Sequence, residues 1–276
     1  MKKVAIVGLG WLGMPLALSL TGAGWRVSGS KTTPDGVEAA RMCGIDGYQL
    51  ALNPEIECEA DDLAALLDVD ALVITLPASR TAAGGENYLL AVQQLVDSAL
   101  AAGVPRMVFT SSTSVYGDTP GLTDESSPLT PVTVAGHTLQ ELESWLHQLP
   151  NTSVDILRLA GLVGPARHPG RFLAGKEGLS NGAQGVNLVH LEDVIAAIHL
   201  LLDRPGSGRI YNLSAPLHPA RQQFYPEVAR QLGLTPPTFV ADNATPNGGK
   251  LIDGSKICRE LGFSYRYPDP GKMPLA

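Results

Sequence analysis

Short runs that are apolar throughout alternate along this chain with longer stretches whose apolar positions recur at helical spacing. Val4–Val7 is a β-branched run that reads as a buried strand, and Leu12, Leu16, Ala17 and Leu20 then fall on one helical face. The same alternation continues. Strands are expected at Arg26–Ser30 and near Tyr48–Leu50, with a loop and short helix around Asp35–Met42 between them. Asp61 and Asp62 read as the cap of a helix ending at Leu67. Ala71–Leu76 is a buried strand stopped by Pro77, and a long helix from about Glu86 to Ala102 ends at Gly103. A strand at Arg106–Thr110, a Pro/Ser/Thr-rich loop over Gly117–Pro131, a helix from about Gly136 to Gln148 and a strand at Val154–Leu159 come next. After a Gly/Pro-rich excursion over Gly161–Gly185, the pattern predicts a strand at Val186–Val189, a helix at Glu192–Leu202 and a strand at Ile210–Leu213. Alternating strands and helices imply an α/β protein with a doubly wound, mostly parallel sheet. Residues 1–160 are expected to form the core. Residues 161–276 complete the sheet at about 186–213 and build a small substrate lobe from about 161–185 and 214–276.

The first turn of the chain adds chemistry. Gly8, Gly10 and Gly13 stand at G-x-G-x-x-G spacing between the first strand and the first helix, where a dinucleotide-binding Rossmann turn belongs. Gly8 lets the chain leave the strand sharply, Gly10 lets a pyrophosphate approach the backbone, and Gly13 lets the helix pack closely. Backbone N–H groups and the helix dipole then attract the phosphates. Lys2, Lys3 and the apolar run after them also resemble a secretory signal, but three glycines and Pro15 in that run favour a folded element.

Composition narrows the class. With 276 residues, 44% hydrophobic content and a net charge of −7, the chain reads as one globular, cytoplasmic α/β unit without affinity for nucleic acid. No run after the first turn suits a membrane span. Cys43, Cys58 and Cys258 lack metal-ligand spacing, so no metal is expected and reduced thiols are. Apolar stripes at Leu89, Val92, Leu95 and Val96, and at Leu142, Trp145 and Leu146, fit either core packing or a homodimer face.

Four further segments, taken in order, carry a resemblance: Phe109–Gly117 (FTSSTSVYG), Arg158–Pro165 (RLAGLVGP), Asn187–Val194 (NLVHLEDV) and Tyr211–Leu213 (YNL). With the glycine turn, they make the chain resemble the extended short-chain dehydrogenase/reductases, the group of NAD-dependent epimerases and dehydratases. Val7 replaces that family's first glycine. The resemblance implies that Ser112 occupies the position that hydrogen-bonds the reacting oxygen; a serine capping a turn is the plainer reading. It also implies a tyrosine and a lysine four residues apart at the start of the following helix. This chain has Ala135 and Leu139 there, and neither Tyr nor Lys occurs between Gly117 and Pro150. The chain thus resembles an atypical subgroup. His137 lies roughly 200° around the helix from Ala135 and faces away. Tyr116, His190 and Asp193 match family positions with structural roles.

The expected cofactor contacts are Gly8, Gly10, Trp11, Leu12 and Gly13 in the turn; Ser30, Lys31 and Thr32 after the second strand; Leu76, Pro77 and Ala78; and Thr110 and Ser111. A hydroxyl and a cation near the usual acidic position predict a preference for NADP(H). NAD(H), with Asp35 reaching the ribose, is the alternative. Arg167 and Arg171, near His168, are candidates for gripping an anionic substrate, and a solvated loop is the competing reading. Function then divides between an NAD(P)-binding oxidoreductase or epimerase-like enzyme with an atypical active site and a non-catalytic dinucleotide-binding sensor or scaffold. The SSTSVYG motif and the strands after it disfavour a 6-phosphogluconate or 3-hydroxy-acid dehydrogenase.

Overall fold

The computed structural model describes residues 2–78, 82–204, 206, 208–241 and 248–274, with side chains at all of these but 82 and 83. In chain order its elements begin with β1 (Lys3–Val7), α1 (Gly13–Gly22), β2 (Arg26–Lys31), α2 (Pro34–Met42), β3 (Asp46–Gln49), β4 (Ala51–Leu52) and β5 (Ile56–Glu57). Then come α3 (Ala60–Leu67), β6 (Ala71–Ile74), α4 (Ala82–Ala101), β7 (Arg106–Ser112), β8 (Gly121–Thr123) and α5 (Val134–Leu146). The chain continues through β9 (Ser153–Leu159), β10 (Gly161–Val163), β11 (Leu188–His190), α6 (Leu191–Asp203), β12 (Ile210–Leu213), α7 (Arg221–Gln231), β13 (Lys250–Ile252) and α8 (Lys256–Leu261).

Among the described residues the main sheet has seven strands in the order β12-β9-β7-β6-β1-β2-β3. β1 pairs in parallel with both β2 and β6. The strand order therefore reverses beside β1, and the carboxyl ends of β1 and β6 flank the point where doubly wound sheets bind ligands. β6 is buried at every residue and β1 at all but its first, as a parallel sheet covered on both faces requires.

The chain divides into two compact units that interleave in sequence: Met1–Val115 with Pro131–Leu157 and Ile198–Ile210, and Tyr116–Thr130 with Arg158–Ala197 and Tyr211–Ala276. The first unit holds the glycine turn. The second has a small core of Val163, Val186, Leu188, Ala215, Phe224, Val228 and Met273.

Several sequence expectations are corrected. Asp61 and Asp62 lie within the first turn of α3, where they face the positive helix end; the cap position is Glu59. α4 starts before Glu86, because the Gly84-Gly85 pair hides its helical pattern. Gly85 packs under Val134 and Thr138 of α5, where a Cβ would come within 2.8 and 2.9 Å of their side chains. The loop over 117–131 contains β8, which pairs in parallel with β13. The strand expected at 186–189 is β11, and it pairs with β10 instead of joining the main sheet, which β12 completes. The stripes on α4 and α5 are largely spent on this chain's own core, since Val92, Leu95, Val96, Leu142 and Leu146 are all buried. Among the described residues, no helix is long and apolar enough to cross a membrane, and no cluster of His, Cys, Asp or Glu could hold a metal.

Candidate functional site

The glycine turn is built from three directions. Gly8 takes φ +104°, a left-handed value that glycine tolerates. Its N–H donates to Ser30 Oγ at 3.2 Å, and Leu9 N–H donates to the Ser30 carbonyl at 3.1 Å. Thr75, at the end of β6, donates its hydroxyl to Gly8 O at 2.7 Å. Gly29 leaves room for Leu9: a Cβ there would come within 2.7 Å of the Leu9 side chain. A Cβ on Gly13 would overlap the Gly8 carbonyl oxygen, so the close approach runs between the helix start and the turn itself. Gly10 differs, because a Cβ there meets nothing within 4 Å. Its methyl-sized space is left open by the protein, which suits a backbone that a pyrophosphate approaches. Leu12 is the N-cap of α1 and makes no side-chain cap bond, and the first turn of α1 holds no acidic residue. The positive end of α1 is thus not neutralised by the helix's own residues. The turn fits the dinucleotide expected of it.

The other expected cofactor residues separate into supports and surfaces. Ser30 is 4% exposed and its hydroxyl accepts from Gly8 N–H, so it supports the turn. Thr110 donates its hydroxyl to Ile74 O at 3.0 Å, and Ser111 donates to the buried Glu143 Oε1 at 2.5 Å. Their side chains are committed to the fold. Trp11, Leu76 and Ala78 are half-buried, and Pro77 is exposed. The loop after β6 is pinned by Tyr88, whose hydroxyl donates to Leu76 O at 3.0 Å. Lys31 ends β2 half-exposed, with its stem against Gly36, and Thr32 is exposed. Thr33 caps α2 by accepting from Gly36 N–H, and Asp35 lies exposed in the first turn. Tyr88 was missed by the sequence reading, as was the bond from Thr75 to Gly8, 67 residues away; no local motif announces either.

Ser112 is half-buried, and its Oγ accepts from Ser114 N–H at 3.1 Å. The turn-capping role is realised, and the hydroxyl keeps its own proton to donate. α5 begins close to that turn: Thr133 caps it, and a Cβ on Gly136 would come within 2.9 Å of Ser114 O. On α5, Ala135 is half-buried, Leu139 is buried at 3% exposure, and His137 is exposed. Neither Ala135 nor Leu139 can supply a proton or a charge.

In the second unit, Tyr116 is a buried structural residue. Its hydroxyl donates to Asn212 Oδ1 at 2.7 Å and accepts from Arg158 Nη1 at 2.8 Å. Burial raises the phenol's pKa, opposed by Arg158. Buried His190 accepts from Glu192 N–H through Nδ1 and meets Pro274 O through Nε2, while Asp193 accepts from Arg266 and Tyr267 N–H. This pair ties down the C-terminal segment. Arg167 and Arg171 are exposed, but His168 turns inward and caps a short 3₁₀ turn by accepting from Gly170 N–H. Burial, aided by Arg171, lowers the His168 pKa.

A parallel α/β sheet with this glycine turn at its switch point defines a dinucleotide-binding protein. More particularly, the chain belongs to the NAD dependent epimerase/dehydratase family, which it matches over residues 4–214. It is 67% identical to the protein YeeZ of Escherichia coli (strain K12) over 276 residues, covering 100% of both chains. A functionally unknown conserved protein from Silicibacter pomeroyi shares 27% identity and a TM-score of 0.77, over 98% of this chain and 95% of its own. The protein MoeE5, in complex with UDP-glucose and NAD, shares the fold at 23% identity and a TM-score of 0.73, over 96% of this chain and 93% of its own.

Proposed function

We propose that the chain binds a nicotinamide dinucleotide on the turn before α1 and works as an oxidoreductase or epimerase-like enzyme with an altered proton path. The observation that carries this reading is the contrast between Gly13, sealed against Gly8, and Gly10, open to a ligand. When bound, the dinucleotide supplies the donor or acceptor of a hydride. Gly8, Gly10, Trp11, Leu12 and Gly13 offer backbone to its phosphates, and Leu76, Pro77 and Ala78 offer a wall beyond β6. Lys31 favours NADP(H), because its ammonium attracts a 2′-phosphate where a carboxylate would repel it. Asp35 remains the residue through which NAD(H) would be preferred. Ser112 hydrogen-bonds the reacting oxygen, and the proton passes through it or a water, since Ala135 and Leu139 carry none. Arg167 and Arg171 are exposed candidates for an anionic part of the substrate.

A non-catalytic sensor or scaffold is the second reading, and Ala135 and Leu139 are what favour it. Single-turnover absorbance of the protein-bound nicotinamide separates the two. The enzyme reading predicts hydride transfer with at least one hydroxyl or carbonyl substrate, slowed about a hundredfold or more in Ser112→Ala. Tight cofactor binding with no hydride transfer to or from any substrate offered would favour the sensor.

A further inference from the structure

The Gly8 carbonyl lies at the centre of the glycine turn and accepts two donors. Gly10 N–H donates to it at 2.7 Å, and the Thr75 hydroxyl donates to it at 2.7 Å. The first bond orients the Gly10 peptide. Met14 N–H then donates to Gly10 O at 3.0 Å, which ties the same residue to the start of α1. Thr75 is the first polar residue after the buried apolar run of β6, and it works from a fixed base. Its own N–H donates to Val7 O at 3.1 Å, and the next carbonyl, Leu76 O, is held by Tyr88. Its hydroxyl also lies 3.3 Å from Val7 O, but it has one proton to give, and Gly8 O is the nearer acceptor.

The two outer glycines of the motif make room for this hydroxyl. A Cβ on Gly8 would come within 2.9 Å of Thr75 Oγ1, and one on Gly13 within 3.0 Å. Gly8, Gly13 and Thr75 are therefore packed as one unit, although 67 residues separate Thr75 from Gly8. Without the hydroxyl, the Gly8 carbonyl would be free to tilt, and the Gly10 peptide with it. A ligand held by that backbone would then have to order the turn as it binds, which costs affinity. We propose that Thr75 is a positioning residue of the dinucleotide site: acting through the Gly8 carbonyl, its hydroxyl holds the Gly10 peptide in the conformation that receives the pyrophosphate. This rests on the cofactor reading above, and the role runs through Gly8 and not through contact with the ligand.

The test titrates the full-length wild type, Thr75→Ala and Thr75→Ser with NADPH and NADH by nicotinamide fluorescence, and follows urea unfolding of each. The dinucleotide that the wild type binds should lose about tenfold in affinity for Thr75→Ala, while Thr75→Ser, which keeps the hydroxyl, should stay within about twofold of wild type. A second titration, read calorimetrically, uses 2′-AMP, which carries no pyrophosphate; its affinity should be the same for wild type and Thr75→Ala. Thr75→Cys, a weaker donor, serves if Thr75→Ala does not fold. A Thr75→Ala protein that is less stable yet binds the dinucleotide as tightly as wild type would show a merely structural threonine and overturn the proposal. An equal loss for 2′-AMP would overturn it too, since the effect would not then run through the phosphate turn. A wild type that binds neither NADPH nor NADH would overturn the cofactor reading itself, and this proposal with it.

Discussion

A methyl group at Gly10 and one at Gly13 should both weaken dinucleotide binding, but only the second should cost stability. At Gly13 it would overlap the Gly8 carbonyl oxygen, so Gly13→Ala should destabilise the protein by about 1–3 kcal/mol and weaken dinucleotide binding through the distorted turn. At Gly10 it meets no protein atom, so Gly10→Ala should stay within about 0.5 kcal/mol of wild type while losing at least about tenfold in dinucleotide affinity. Urea unfolding and ligand titration of the two variants check this directly; a Gly10→Ala protein that binds normally would contradict the turn's role. Glycine spacing was legible in the sequence because it reports backbone conformation, which is local. The task of Ser30 was not. Its hydroxyl accepts from Gly8 N–H, and that bond exists only once β1 and β2 are paired. Thr75 reaches Gly8 across 67 residues of sequence for the same reason.

At the scale of elements, the strands that could be read in advance are those buried on both faces, such as β1 and β6, whose apolar runs admit few alternatives. β8, β10, β11 and β13 have three residues each, too short for periodicity to register, and β8 finds β13 only through the fold. Helix pairing also carries a pH dependence. His199 of α6 shares a 3.0 Å hydrogen bond with Ser19 of α1. Burial lowers its pKa below the ordinary 6.5, with Asp203 opposing. A depressed histidine pKa means that the unfolded chain takes up the proton first. The contribution is therefore intact above 6.5 and is lost as pH falls below that value toward the folded pKa. Chemical denaturation at pH 7.5 and pH 5.5 should show His199→Gln losing less stability on acidification than wild type. Equal losses would place the acid sensitivity elsewhere. Within the first unit, Ser111→Ala removes a hydrogen bond from the buried Glu143 carboxylate and should cost about 1–3 kcal/mol, read as a lower thermal midpoint.

For the whole molecule, motif order along the chain was enough to anticipate its family, because the glycine turn, the SSTSVYG segment and the NLVHLEDV segment follow one another within residues 4–214, the span that matches the family. What motif order could not reveal is how the chain shuttles between its two units, since three of the crossings fall inside β9, α6 and β12, with no linker composition to mark them. Substrate identity was illegible for a related reason: Arg167 and Arg171 are exposed charges in no recognisable motif, and charge alone does not name a substrate. The central claim is that this fold retains a working dinucleotide site, selective through Lys31, despite Ala135 and Leu139. Titrating the protein with NADPH and NADH at fixed ionic strength, following nicotinamide fluorescence, tests it most directly. The account predicts saturable binding, tighter for NADPH, with the preference abolished in Lys31→Ala. Binding of neither nucleotide would contradict it.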